Sequence, residues 1–226
     1  MKLVPFFFTL IISFNLLSFP VPKDGKISFD VIRKNKIIGS HEIIFKKNEN
    51  ELLLSTNINI EVKILFITAY KFLHQSVETW KDNEFIKVEG FSDFEDNREY
   101  FIKGNDIGGN FIAEGMDGKL TLDKDILPSN FWNINILSEQ EIFDTQKGVV
   151  RKIQVRDLGS ETIKINNNKI DTKKFSFNAS DNPKDKGPFP EYTLWYSNED
   201  ELVKFWFRNP KDKKKVLVIR NDLGSN

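Results

Sequence analysis

The chain has no cysteine among its 226 residues. That excludes disulfides and thiolate-held metal, and removes the lipobox cysteine through which a bacterial lipoprotein carries its lipid. Histidine is almost as scarce, with two residues, His41 and His74. Excess charge is also missing: 33 Lys and Arg stand against 33 Asp and Glu. A nucleic-acid partner calls for a basic face and net positive charge, so nucleic acid is not an expected partner. The one basic cluster, residues 211–215 (KDKKK), reads as a solvated hairpin turn, with contact to an anionic surface as the alternative. Lys far outnumbers Arg, and Lys, Asn, Ile and Phe are all heavily used, as AT-rich codons favour. The lysines as a group therefore carry no functional signal.

Long hydrophobic runs are missing too, except at the start. Met1-Lys2 is followed by an apolar run to Phe19, then by Pro20, Pro22 and the charged Lys23-Asp24. A short basic start plus such a run is a secretory signal. Residues 1–19, or 1–22, are expected to be removed, leaving residues 23–226 as a single domain. A small-x-small cleavage site is missing, with Ser18 the best small residue near the end of the run. The rival reading is an uncleaved anchor, since the run is marginally long enough to span a bilayer, though Pro5 and Asn15 weaken it. A secreted chain without cysteine suits the bacterial periplasm. Peripheral membrane contact is compatible with that address, and the oligomeric state is left open.

The remaining chain alternates with a period of two. Ile37, Gly39, His41, Ile43 and Phe45 share one face. Leu52, Leu54, Thr56, Ile58, Ile60 and Val62 share another. Such alternation marks strands with one buried face. Between the runs lie Lys34-Asn35, Asp82-Asn83, Asp117-Gly118 and Asn166-Asn167, which suit tight hairpins. The expected fold is all-β: a curved antiparallel meander of about ten to twelve strands, forming an open or closed barrel because so many strands do not stay flat. Residues 128–137 are expected to form a short helical insertion that carries Phe131, Trp132, Ile136 and Leu137 toward an apolar surface. Ser138 and Glu141 have capping-box spacing, with Gly148 as a left-handed terminator. Residues 181–190, with three prolines and Gly187, read as a loop.

No catalytic motif is present. Ser40-His41-Glu42 lacks the strand-turn-helix context of a nucleophile elbow, and Gly108-Gly109 lacks the spacing of a phosphate loop. Asp93 and Glu95 are two apart on a strand, as acid-rich edges commonly are. His41, His74 and Glu78 have the composition of a two-His-one-carboxylate metal site. However, His74 and Glu78 are four apart on one strand face, about 13 Å between Cα atoms, so neither metal nor cofactor is expected. The unusual strand is Tyr70-x-Phe72-x-His74-x-Ser76-x-Glu78-x-Trp80. Its even face is aromatic and polar, and its odd face carries Lys71, Gln75 and Thr79. An inward even face would offer aromatic walls with a few polar handles, the make-up of a small-molecule pocket. The alternative is plain core packing. A second aromatic group, Trp195-Tyr196 and Phe205-Trp206-Phe207, has core as its default role.

Ile38-Gly39-x-His41, the Tyr70–Trp80 pattern and Leu194-Trp195-Tyr196 before a final hairpin together resemble an uncharacterised family of secreted bacterial proteins. That family is similar to the half-barrel proteins that include the lipoprotein carriers LolA and LolB and the violacein-pathway protein VioE. The resemblance implies a curved sheet with helices plugging the concave side and an apolar cavity. On this reading the protein is a non-enzymatic periplasmic binder of a lipid or small apolar or amphipathic molecule, with Tyr70, His74, Glu78, Trp80, Trp195 and His41 as candidate ligand contacts. A cofactor-independent enzyme acting in the same cavity, or a structural envelope protein, is the alternative. A transmembrane barrel is disfavoured because Asn57, Asn59, Glu61, Lys71 and Gln75 interrupt the apolar band it requires.

Overall fold

A computed structural model describes residues 21–64, 67–94, 98–186, 188–209 and 212–223. The apolar leader lies outside the described residues. The described residues form one sheet of fifteen strands, more than the sequence suggests because short runs also pair. The first eight are β1 (Lys26–Arg33), β2 (Lys36–Asn48), β3 (Glu51–Ile64), β4 (Ile67–Lys81), β5 (Glu84–Phe94), β6 (Arg98–Ile107), β7 (Asn110–Gly115) and β8 (Gly118–Asp123). The rest are β9 (Leu127–Pro128), β10 (Glu141–Asp144), β11 (Val149–Ile165), β12 (Asn168–Ala179), β13 (Tyr192–Ser197), β14 (Leu202–Arg208) and β15 (Lys215–Arg220).

Every neighbour in the sheet is also a neighbour in sequence, with one exception. β1 pairs with β15, Val31 opposite Val218, so the first and last strands are joined in the middle of the sheet. The edges are β8 and β9, and the sheet is not closed. All pairs are antiparallel except β9 with β10. The predicted hairpins form for the expected reason. Lys34-Asn35, Asp82-Asn83 and Asn166-Asn167 all have positive φ at both positions, the two-residue geometry that matches strand twist.

Across the open seam the β7–β8 turn meets the β10–β11 turn. Met116 N donates to Lys147 O at 2.7 Å. Gly115 and Gly148 pack backbone to backbone, and a Cβ on Gly148 would stand 2.5 Å from the Gly115 Cα. Asn182 Nδ2 and Lys184 Nζ add contacts to Asp117 at 2.6 and 3.1 Å.

The helical insertion is smaller than expected, a single 3-10 turn over Ile134–Ser138. Its cap is Asn133, whose side chain accepts from Asn135 N at 3.1 Å. The Ser138–Glu141 capping box does not form, because Glu141 begins β10 and pairs with Lys152. Gly148 takes its left-handed φ of 70° in the turn after β10, not at a helix end. The segment is nevertheless a plug. Trp132 is buried and meets Phe45 and Trp80 edge-on, with ring centres 5.4 and 5.6 Å away. Ile136, Phe85, Phe111 and Phe143 complete this floor.

Candidate functional site

β2 to β5 place their inward side chains in rows. The first row is Gly39, Ile60, Phe72 and Phe94; the second is His41, Ile58, His74 and Ser92. The third is Ile43, Thr56, Ser76 and Gly90; the fourth, next to the floor, is Phe45, Leu54, Glu78 and Val88. The even face of β4 therefore points inward, while Lys71 and Gln75 are exposed. Above the floor lies a cavity of about 230 Å³. Tyr70, Phe72, His74, Ser76 and Glu78 form one wall with His41, Thr56 and Ile58, while Phe131, Tyr192, Phe205 and Phe207 supply aromatic lining from the plug, β13 and β14. The exposed lining residues Lys186 and Pro188 mark its mouth.

The polar groups on the wall are mostly held uncharged. Glu78 is 1% exposed. It accepts from Trp80 Nε1 at 3.1 Å and from Asn130 Nδ2 at 2.9 Å. Burial pushes its carboxyl up to about 7, against the opposing pull of those two donors. Burial likewise pushes His74 down to about 4, opposed by Asp144 and by a hydrogen bond with the Phe91 backbone. The His74 Nδ1 is 2.9 Å from Ser92 Oγ. Burial, then the nearness of His74, takes His41 down to about 3. The His41 ring packs on Phe29 and Phe205.

Toward the mouth is a buried ion network. Arg151 Nε donates to Asp144 Oδ2 at 2.7 Å, and Arg151 Nη1 donates to Asp185 Oδ2 and to Ser180 O, both at 2.9 Å. Lys147 also pairs with Asp185. The Arg151 guanidinium lies 4.7 Å from the Phe189 ring centre. Asp181 accepts from Phe189 N at 2.5 Å. The network thus pins the 181–190 loop so that Pro188, Phe189 and Pro190 line the cavity.

Five of the six sequence candidates meet here. Tyr70, His41, His74 and Glu78 line the cavity, and Trp80 lies behind it as part of the floor, joined to it through Glu78. Trp195 does not belong. It lies on the outer face in a separate cluster with Ile163, Ile165 and Val203. There its Nε1 donates to Glu161 at 3.1 Å, and Lys204 sits 3.9 Å above its ring. Arg151, Asp144 and Asp185 were not legible as a group, because they come from β11, β10 and a loop. Thr56 had a signal: it interrupts an otherwise aliphatic face of β3.

The His74–Ser92 pair does not constitute a nucleophile and base. Ser92 is fully buried outside the cavity lining, and Asp144 is engaged by Arg151. Among the described residues no cluster of three or more His, Asp or Glu has metal-site geometry. What the arrangement can do is enclose an apolar body and offer it oriented hydrogen-bonding groups, with the ion-paired Arg151, Asp144 and Lys147 also in the lining.

The crystal structure of a β-barrel-like protein of the domain of unknown function DUF1849, from Brucella abortus, has a similar fold. It superposes with a TM-score of 0.59 at 10% identity, over 86% of this chain and 94% of that one. No match was found among curated proteins. Residues 29–220, from β1 to β15 and so including the whole cavity, match the family model described as a domain of unknown function, DUF6134, and the chain belongs to that family.

Proposed function

We propose that this protein is an exported, non-enzymatic binder of an apolar or amphipathic small molecule or lipid, held in the cavity beneath the 181–190 loop. The observation that supports this most is the cavity itself: about 230 Å³, with Phe72, Phe94, Phe131, Phe205 and Phe207 as aromatic walls among polar groups that are largely paired with one another. Pockets for small ligands have this composition, whereas a domain built only to fold would fill the space. Native mass spectrometry of protein purified from the periplasm is the test. A co-purifying lipid or metabolite is the expected result; an apo mass, with no uptake of lipid from added micelles, overturns the reading. The same preparation tests export, with a mature N-terminus expected between Phe19 and Lys23. An intact Met1 on membrane-bound protein would instead support the anchor.

One observation favours catalysis as the second reading. A carboxyl poised at about 7 in a cavity, as Glu78 is, suits a general acid or base. On that reading Glu78→Gln abolishes turnover while leaving binding intact.

A further inference from the structure

Two hydroxyls in the cavity wall are left without partners. Thr56 Oγ1 and Ser76 Oγ are buried and hydrogen-bond to none of the described residues. Their residues are 8% and 5% exposed, and both line the cavity. They sit directly opposite one another on β3 and β4. A buried hydroxyl without a partner costs stability, and valine or alanine would fill these positions without that cost. Both side chains belong to the inward row and line the cavity, so rotation about χ1 would bring each hydroxyl to a ligand atom there.

The surroundings fix the character of that atom. Along the same wall His41 and His74 are held neutral, and burial favours the neutral form of Glu78 as well. The cations of the lining are engaged elsewhere: Arg151 by Asp144 and Asp185, Lys147 by Asp185, and Arg98 over the Phe94 ring, while Lys186 is exposed at the mouth. A charge brought to Thr56 and Ser76 would therefore be desolvated without compensation. Facing the same space, Phe131 packs on Tyr192 and Phe205 with ring centres 5.0 and 5.6 Å away, an aromatic surface suited to a flat ring.

We propose that the cavity takes an uncharged, ring-bearing molecule whose hydroxyl or carbonyl group lodges between Thr56 and Ser76. This rests on the cavity being a binding site, and it names the class of ligand. The test is a series of near-isosteric probes added to the full chain at neutral pH: 2-naphthol, 2-methylnaphthalene and 2-naphthoate. Wild type is expected to bind naphthol about tenfold more tightly than methylnaphthalene, the factor one net hydrogen bond supplies, and naphthoate most weakly. In Thr56→Val/Ser76→Ala the preference for naphthol disappears, methylnaphthalene still binds, and the melting temperature does not fall. Should the double variant not fold, Thr56→Val alone carries the test, since it changes little but the hydroxyl. Equal binding of naphthol and methylnaphthalene by wild type, tightest binding of naphthoate, or a naphthol preference that survives the substitutions overturns the proposal while leaving the cavity a binding site. Failure of all three probes to bind wild type overturns the ring-bearing ligand class, whereas the binding reading itself falls only on an apo mass with no lipid uptake.

Discussion

At the scale of single residues, three buried groups set opposing pH dependences. Glu78 titrates near 4.5 when unfolded and at about 7 when folded. Folding therefore favours its protonated form. That contribution is whole below about pH 4.5, declines as pH rises and is gone above about 7, a loss of about 3 kcal/mol at 1.36 kcal/mol per unit. His41 and His74 act the other way. Their folded values, about 3 and about 4, lie below the ordinary 6.5. Their contribution is whole above 6.5 and is lost as pH falls. Below 6.5 two histidines oppose one carboxyl, so these groups place the stability maximum near pH 6.5. Urea unfolding across the acid to neutral range should show that Glu78→Gln gains on wild type as pH rises from 4.5 to 7 and steepens the acid limb. A pH-independent difference between the two would mean that Glu78 is not desolvated. Alternation along β4 was enough to place Glu78 inside. Its partner Asn130 was not legible, because it is 52 residues away in the plug and no local rule links them.

At the scale of elements, the plug and the seam carry the structure. Trp132 joins Phe45 to Trp80 in the floor. Trp132→Ala is expected to cost about 3–5 kcal/mol in chemical denaturation; a loss below about 1 kcal/mol would put it at the level of a surface change. The seam makes a sharper comparison. Gly109 and Gly148 both have positive φ, 86° and 70°. A Cβ on Gly109 meets nothing, whereas one on Gly148 strikes Gly115. Gly109→Ala should therefore cost only about 1–2 kcal/mol of backbone strain, while Gly148→Ala should cost clearly more and loosen the β7–β8 turn. Equal losses would show that the turns do not bear on each other. Hairpins were legible in the sequence because Asn and Asp tolerate the required φ. The capping box misled for a physical reason. Ser138 to Glu141 satisfies a local helix rule, but Ile142 and Phe143 are fully buried by pairing with β11, and tertiary pairing overrides local preference.

At the scale of the whole molecule, a single non-local joint, β1 with β15, organises the sheet. The start of β1 and the residues after β15 lie close there: Asn221 N donates to Ser28 O at 3.0 Å, and Asp222 accepts from Ser28 N at 3.2 Å. Linking residue 223 to residue 23 and opening the chain between Lys124 and Asp125 would turn the sheet into an uninterrupted meander from β9 to β8. Stopped-flow refolding of that permutant is expected to be faster than wild type, because no distant strands must meet before pairing. An unchanged rate would place the barrier elsewhere. The all-β class and the antiparallel meander were legible because period two extends through nearly every segment. The side on which Trp195 lies was not: from Thr193 to Ser197 every residue of β13 is buried, so alternation there does not tell inner from outer. The nearness of the segments before β1 and after β15 also sets how the molecule can be handled. Both lie beside the floor, Gly25 O accepting from Phe45 N and Asn221 following Arg220, whereas Lys186 and Pro188 line the mouth. A tag or sensor surface coupled at residue 23 or residue 223 would thus hold the protein by its base, with the mouth open to the flowing solution.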